Sequence, residues 1–211
     1  MPQLPQPNDR DFTPLPAGAH AAICYRVIDL GTQETTWESK TKQTHQILVG
    51  WEIPDETMDD GRPFTIGQVY TWSMGEKAKL RAHLEAWRGK AFEENDFRPT
   101  DQGGFNIRKI VGVPCMLTVV HSTKNGNTYA NVAGVAKMPK GMMVPGSSVN
   151  PLAFIWLSPD EFSKHDFEAL SEKLKIKIAK SPEYQALISG RPMARDEAVS
   201  NGADFSDDIP F

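Results

Sequence analysis

Apolar residues recur at every second position in three stretches near the start of this chain, and this period restricts the fold more than any other feature. A β-strand turns successive side chains to opposite faces, so a period of two predicts strands that bury one face. Gly67 lies inside the third stretch and predicts a bulge or a sharp bend there. The apolar members are Ala19, Ala21, Ile23, Tyr25 and Val27; Ile47, Val49, Trp51 and Ile53; and Phe64, Ile66, Tyr70 and Trp72.

A helix is predicted directly after the third strand. Ser73 and Glu76, three residues apart, have the pattern of a capping box that would start the helix. Gly89 is placed to end it, because glycine adopts the left-handed conformation common at helix C-termini. One face of this helix is predicted to be apolar. Its residues are Leu80, Leu84 and Trp87.

Asn125 and Gly126 separate two apolar runs, 115–122 and 128–135. Both residues tolerate positive φ, so they predict a tight turn between two antiparallel strands. Residues 17–138 are therefore predicted to form three strands, a helix and two strands, which is the order of the five-stranded oligonucleotide-binding barrel, or OB-fold. We predict a mainly β barrel with its helix between strands three and four. Antiparallel α+β sandwiches share the order and stay open as an alternative.

The rest of the chain is predicted to be an appendage. Residues 139–157 are rich in Gly, Pro, Ser and Met and predict a linker or a loop. Across 158–190, serine-proline pairs that begin at Ser158 and Ser181 predict helix starts. The apolar face of these helices needs a partner, either the barrel or a second copy of the chain. Its residues are Phe167, Leu170, Leu174 and Ile178.

The net charge of −4 is unevenly distributed along the 211 residues. From Asp196 onward there are five acidic residues and no basic ones, so the preceding chain carries 23 basic against 22 acidic residues, a formal charge of +1. A neutral body can bind phosphates when its lysines and arginines collect on one face. Residues 191–211 are predicted to be a disordered acidic tail, and residues 1–16 an extended arm.

Several functional classes lack support in the sequence. No apolar run is long enough to span a bilayer, and the first residues lack the basic and apolar regions of a signal peptide, so a cytoplasmic protein is predicted. Cys24 and Cys115 lie inside predicted strands, which favours buried thiols over a disulfide. The five histidines lack metal-ligand spacing, and the acidic turn 55–61 is predicted to be solvated. We predict no metal site, no cofactor and no enzymatic activity.

The last five residues, Asp207, Asp208, Ile209, Pro210 and Phe211, end at the chain's own carboxylate. A partner can bury the Phe211 side chain, bind the α-carboxylate and attract the acids with a basic rim, so this end is predicted to be a docking peptide. A solvated tail without a partner is the alternative. The tip resembles that of the bacterial single-stranded-DNA-binding proteins, whose acidic tails end in Asp-Asp-Ile-Pro-Phe. That resemblance implies capture of host replication and repair proteins.

A protein that binds single strands without sequence preference needs aromatic faces for bases and cations for phosphates. The polar loop predicted at 32–44 holds Trp37, our first stacking candidate, beside Lys40 and Lys42. Trp51, Tyr70 and Trp72 are further candidates, although a period of two does not tell whether they face a groove or the core. Additional predicted contacts are Arg26 on strand one and, around the second hairpin, His121, Lys124, Asn125 and Tyr129.

Four strings between residues 14 and 140 resemble single-stranded-DNA-binding proteins of bacteriophages. They are residues 25–31, 50–54, 84–89 and 125–131. The resemblance implies an OB-fold that coats single-stranded DNA during phage replication, recombination and repair in the host cytoplasm, with the tail recruiting host proteins. It does not extend to the helical appendage. An adaptor that occupies such host proteins through its tail, and binds no DNA, is the alternative function.

Overall fold

One sheet organises the protein, and every strand of the described residues belongs to it. A computed structural model describes residues 13–37 and 40–190. The strands are β1 (Gly18–Trp37), β2 (Lys40–Thr57), β3 (Pro63–Thr71), β4 (Pro114–Lys124), β5 (Asn127–Ala136) and β6 (Ala153–Ile155). The α-helices are α1 (Lys79–Arg88), α2 (Lys164–Glu168), α3 (Glu172–Ala179) and α4 (Pro182–Ser189). The acidic tail and residues 1–12 of the predicted arm lie outside the described residues.

The order of elements confirms the predicted three strands, helix and two strands. Neighbouring strands follow the path β3-β2-β1-β4-β5, all antiparallel, and β6 adds to β1 in parallel. The described residues form no hydrogen-bonded ladder between the two edge strands, β3 and β5, so the sheet is open along this path. Helix α1 contacts both edge strands. The closed barrel stays a prediction.

Two hydrophobic clusters lie on opposite faces of the sheet. The larger cluster covers the face that we call inner, where Val49 and Trp51 of β2 pack against α1. Ile28 and Leu48 point to the outer face, where helices α2 and α3 cover them. The predicted apolar face of the appendage is therefore buried against the sheet of its own chain. Its four predicted residues, Phe167, Leu170, Leu174 and Ile178, all belong to this outer cluster.

The regular pairing of Gly67 corrects the bulge predicted at that position. Gly67 lies opposite Gly50 in unbroken register between β2 and β3. A Cβ atom at Gly50 would come within 2.8 Å of the Arg26 side chain, so the glycine leaves room for Arg26 on the outer face. The irregular strand is β1 instead. Its register against β2 shifts between Cys24 and Arg26 and between Asp29 and Gly31.

A long β-ribbon replaces the polar loop predicted at 32–44. The end of β1 and the start of β2 pair residue by residue from Thr32 opposite His45 to Trp37 opposite Lys40. Threonine recurs on both strands of this ribbon, and its β-branched side chain favours extended backbone even where apolar residues are absent. The loop prediction was wrong because it used apolar alternation alone as the strand signal.

Helix α1 begins later than the capping box predicted. Ala78 is its N-cap residue and provides no side-chain bond, whereas the Ser73 hydroxyl accepts a hydrogen bond from the backbone of Gly75 in the preceding turn. The C-terminal prediction is confirmed, since Gly89 has φ of 71°. The predicted apolar face is also confirmed. Leu80, Leu84 and Trp87 are all buried.

The hairpin of β4 and β5 is confirmed as antiparallel, and its turn has the predicted chemistry. Asn125 and Gly126 both have positive φ, 52° and 80°. Cys24 and Cys115 are free and buried, as predicted, and burial raises the pKa of both thiols. None of the helices in the described part of the chain has the length and apolar character needed to cross a membrane.

A buried carboxylate fastens the segment between β5 and β6 to the sheet. Glu52 of β2 is 0% exposed. Its side chain accepts hydrogen bonds from the backbone of Val149 at 2.6 Å, from the backbone of Asn150 at 2.8 Å and from the Asn150 amide at 2.5 Å. This segment falls in the stretch predicted to be a linker. The contact aligns it so that β6 pairs with β1 a few residues later.

Candidate nucleic-acid interface

Four rings from three separate parts of the chain form a continuous row, which we call the aromatic strip. It consists of His45, Trp72, Phe154 and Trp156. Trp156 lies at the centre, with its ring stacked on Phe154 at 5.7 Å and 5° and on His45 at 6.4 Å and 27°. Trp72 meets Trp156 edge to face at 5.0 Å.

The strand register places the strip at one rim of the inner face. His45 lies two residues before Ile47, and Trp72 lies two residues after Tyr70, so both point to the inner side of the sheet. Trp72 is 36% exposed, and the other three rings are half-buried. Phe154 and Trp156 pack their inner sides against the large cluster. A row of rings that are fixed on one side and open on the other can stack with nucleobases.

A cation lies at the Phe154 end of the strip. The guanidinium of Arg108 is 4.5 Å from the centre of the Phe154 ring. Arg108 belongs to a 3-10 helix, Ile107–Ile110, and is exposed, with Glu161 at 3.8 Å as an ion-pair partner. An exposed ion pair of this kind contributes little to stability, so the Arg108 guanidinium can also contact a phosphate at low energetic cost.

His45, at the other end, joins the strip to two carboxylates. Its Nε2 donates a hydrogen bond to Asp29 at 2.7 Å, and its Nδ1 is 3.8 Å from Glu183 of helix α4. Burial opposes the charged form of His45, but the bond to Asp29 and the charges of both carboxylates outweigh it and raise its pKa. Burial also opposes ionisation of Glu183, yet two hydrogen bonds from Thr32 keep its pKa low. The folded protein therefore holds the proton of His45 more tightly than the unfolded chain does.

We expect this raised pKa to make the protein less stable as the pH rises above about 6.5, the ordinary pKa of histidine. Folding favours protonated His45, so its contribution is complete below 6.5 and is lost as pH passes the raised folded pKa. Urea unfolding between about pH 6 and about pH 8.5 should show the free energy of unfolding of the wild type falling with pH relative to that of His45→Gln.

His83 contributes equally to both proteins in this comparison. Burial and the nearby charge of Lys79 lower the pKa of His83 to about 4 in the folded protein, so stability rises with pH until the unfolded imidazole has lost its proton above about 6.5, to the same extent in the wild type and in His45→Gln. Equal slopes of unfolding free energy against pH in the wild type and in His45→Gln would contradict the assignment to His45.

Trp51 and Tyr70, two of the predicted stacking residues, are core residues. Trp51 is 1% exposed and packs on Trp87 with ring centres 6.1 Å apart. Tyr70 is 2% exposed, and its hydroxyl is hydrogen-bonded to His83 at 2.8 Å. The prediction for these two was wrong because their side chains point to the inner face beneath helix α1, where bases cannot reach them.

Of the aromatic residues predicted to stack with bases, Trp72 is the one whose described side chain lies in the strip. The backbones of Trp37 and Lys40 pair at the end of the ribbon. Their side chains lie outside what the structure describes. Lys42 is exposed and lies opposite Thr35, on the ribbon face away from His45. The structure therefore does not bring Lys42 to the strip.

Arg26 packs on the sheet rather than extending into solvent. Its side chain covers Gly50 on the outer face, and its guanidinium is 5.0 Å from the centre of the Tyr25 ring. Arg26 is half-buried, and its Nε atom is buried. The outer face here is opposite to the strip. The predicted phosphate contact of Arg26 is therefore not part of this site.

The predicted residues around the second hairpin lie at the far end of β1. Lys124 and Asn125 are exposed and Tyr129 is half-buried. His121 donates a hydrogen bond to the Leu15 carbonyl at 2.8 Å and so holds the segment that leads into β1. β4 pairs with the beginning of β1, whereas the ribbon continues from its end, so the two hairpins extend from opposite ends of the same strand.

Sequence reasoning missed four functional candidates: His45, Arg108, Phe154 and Trp156. Phe154 and Trp156 lie within or just after β6, in a stretch predicted to be a linker. A signal was present, because Phe154 and Trp156 alternate with Ile155 and Leu157, and the two pairs pack on the inner and outer clusters respectively. The run was too short to stand out beside the glycine- and proline-rich residues before it.

Comparisons with known proteins identify no relative whose site could be compared with this one. No protein-family model matches the chain, and a search of curated proteins gave no match. Within residues 13–37 and 40–190, no three His, Cys, Asp or Glu side chains are grouped so that they could hold a metal ion. The predicted docking residues, Asp207 to Phe211, lie outside the described residues.

Proposed function

We propose that this protein binds single-stranded DNA without sequence preference and carries out no catalysis. The observation that supports the proposal most is the aromatic strip, a row of partly open rings with Arg108 at one end. Stacking on such rings tolerates every base, because every base has a π-face. In this proposal Trp72 keeps its predicted stacking role, and His45, Phe154 and Trp156 take the role predicted for Trp51 and Tyr70.

The fold proposed here is an OB-type barrel. The order of strands and helix and the contact of helix α1 with both edge strands support it. The two register shifts in β1 also support it, because bulges increase the coiling that a sheet needs to close.

The C-terminal tip is proposed to recruit partner proteins. Its resemblance to the bacterial tips supports this, together with the burial that a terminal Phe211 offers to a pocket. In this proposal the protein acts in bacteriophage replication, recombination and repair, where it coats single strands and presents the tip to host enzymes. An adaptor that uses the tip but binds no DNA would leave the aromatic strip without a role.

Titration with a fluorescence readout tests DNA binding. We expect oligothymidylate to quench tryptophan fluorescence, because Trp72 and Trp156 lie in the strip, and the affinity to fall as salt rises. Duplex DNA of the same sequence is the control and should bind more weakly, since its bases are already stacked. Absence of both quenching and salt-dependent binding would favour the adaptor.

A further inference from the structure

A cleft of about 590 Å³ separates the ribbon from helix α3. The ribbon provides Thr32, Gln33, Glu34 and Gln43 to one wall. The helical side provides three lysines, Lys173, Lys177 and Lys180, and we call this site the lysine cleft. Lys173, Lys177 and Lys180 follow helical spacing of four and three residues, which aligns their side chains on one face.

The three lysines differ from nearby lysines in how they are paired. Lys175 on the same helix is 2.5 Å from Glu172, and Lys164 on α2 is 3.8 Å from Glu168. Among the described residues, no carboxylate forms an ion pair with the lysines of the cleft. Glu34 is the one acidic residue that lines it. The cleft therefore has a net positive charge.

Hydrogen bonds fix the two walls of the cleft relative to each other. The Gln33 amide donates to the backbone carbonyl of Lys177 at 3.1 Å. Thr32 donates to Glu183 through its backbone at 2.8 Å and through its hydroxyl at 2.5 Å. The cleft is thus preformed, so an anion that enters it does not have to order the walls.

Among the three lysines of the cleft, Lys177 has the least well solvated charge. It is half-buried, and burial lowers its pKa. An anion beside the Lys177 ammonium would offset that loss of solvation. Phosphate is well suited, because a lysine ammonium binds phosphate as a point charge and needs no fixed geometry.

The cleft continues the surface that carries the aromatic strip. Residues directly opposite each other in an antiparallel pair share one face, so Thr32 and His45 point the same way, as do Glu34 and Gln43. Two residues along a strand restore the same face, so these four lie on one side of the ribbon, whereas Gln33, which also lines the cleft, points to the other side. His45, the last ring of the strip, is thus next to the first residues of the lysine cleft.

From this placement we infer that the lysine cleft binds the phosphate backbone of the same single strand whose bases stack on the aromatic strip. The inference rests on the proposed function and adds a second contact surface, on the C-terminal helices, to it. Continuity with the strip favours a nucleic-acid strand over an acidic polypeptide, which would have no use for the neighbouring rings.

The test compares two triple variants of the full chain that lose equal charge. Lys173→Gln/Lys177→Gln/Lys180→Gln changes the cleft, and Lys140→Gln/Lys164→Gln/Lys175→Gln changes lysines outside it. Each is titrated with oligothymidylate of about 20 nucleotides, longer than the usual span of one such domain, and with an abasic deoxyribose-phosphate oligomer of equal length. A polyglutamate peptide is the third probe.

For oligothymidylate, we expect the cleft variant to lower the slope of log affinity against log salt by about 2, since each phosphate contact on a single strand contributes about 0.7. The abasic oligomer should bind the wild type and the control variant with similar affinity and the cleft variant much more weakly. Equal behaviour of the two triple variants would overturn the inference, as would a cleft that binds polyglutamate but not the abasic oligomer.

The two proposals fail separately in this design. The abasic oligomer has no bases, so the part of its binding that the cleft variant loses and the control variant keeps reports on the cleft. Tryptophan quenching by oligothymidylate reports on the strip. A protein that shows quenching but gives equal results for both triple variants retains the proposed function and loses the cleft. A protein that binds the abasic oligomer through the cleft without any quenching retains the cleft and loses the strip.

Discussion

We expect Trp72→Ala/Trp156→Ala to weaken the affinity for oligothymidylate by at least about 2 kcal/mol, roughly thirtyfold, and to remove most of the fluorescence quenching. The reason is that one stacked base contributes about 1–3 kcal/mol when its aromatic partner is truncated to alanine. Trp156 contacts each of the other three rings, so its loss also releases the remaining members of the strip. Affinity is measured by anisotropy of a labelled oligonucleotide.

Two controls separate loss of stacking from loss of structure. Trp156→Phe keeps a flat ring and should retain most of the affinity, and urea unfolding of each variant shows whether the fold is intact. A double alanine variant that is folded and binds as tightly as the wild type would disprove the role of the strip.

Deletion of Phe211 tests the proposed docking tip instead of the strip. It should leave oligonucleotide affinity unchanged and abolish capture of host proteins.

Glu52→Ala is expected to lower the free energy of unfolding by roughly 3 kcal/mol or more. The carboxylate of Glu52 is fully buried and accepts three hydrogen bonds from Val149 and Asn150. A hydrogen bond to a charged group contributes about 1.5–3 kcal/mol. Urea unfolding with an unchanged m-value provides the measurement, because a change in the midpoint alone then reports stability.

Glu168→Ala is the matched control for this substitution. Glu168 is 63% exposed, and its only described partner is Lys164 at 3.8 Å, so its loss should change stability by less than about 1 kcal/mol. Glu52→Gln keeps the size of the side chain and one acceptor oxygen, so its effect should fall between the two. A loss below about 1 kcal/mol in Glu52→Ala would show that water replaces the carboxylate.

The sequence correctly predicted those turns and helix ends that depend on only one or two neighbouring residues. Asn125-Gly126 specifies its own turn, because positive φ is a property of those two residues. Gly89 ends its helix for the same reason. Ser73 and Glu76 had the right spacing for a cap, but the chain continues through a turn at Gly75 before the helix starts. The spacing of Ser73 and Glu76 alone does not tell whether a turn or a helix forms first after Ser73.

The candidate site depended on information that no local pattern carries. A period of two places Trp51 and Trp72 in equivalent stripes, yet helix α1 covers one, and the other lies at the open rim of the sheet. Strand β6 has three residues and is stable only because β1 provides its hydrogen bonds. Phe154 and Trp156 become neighbours of His45 through that pairing, which joins residues far apart in sequence.

Strand β1 serves two partners along one edge, first β4 and then β6. A shortened protein that ended at residue 138 would keep the five predicted strands yet expose Ile28 and Leu48 to water. It would also lack half of the rings proposed to bind bases. We therefore expect the smallest autonomous folding unit to extend to the end of α4, and fragments of this chain should be cut after that helix.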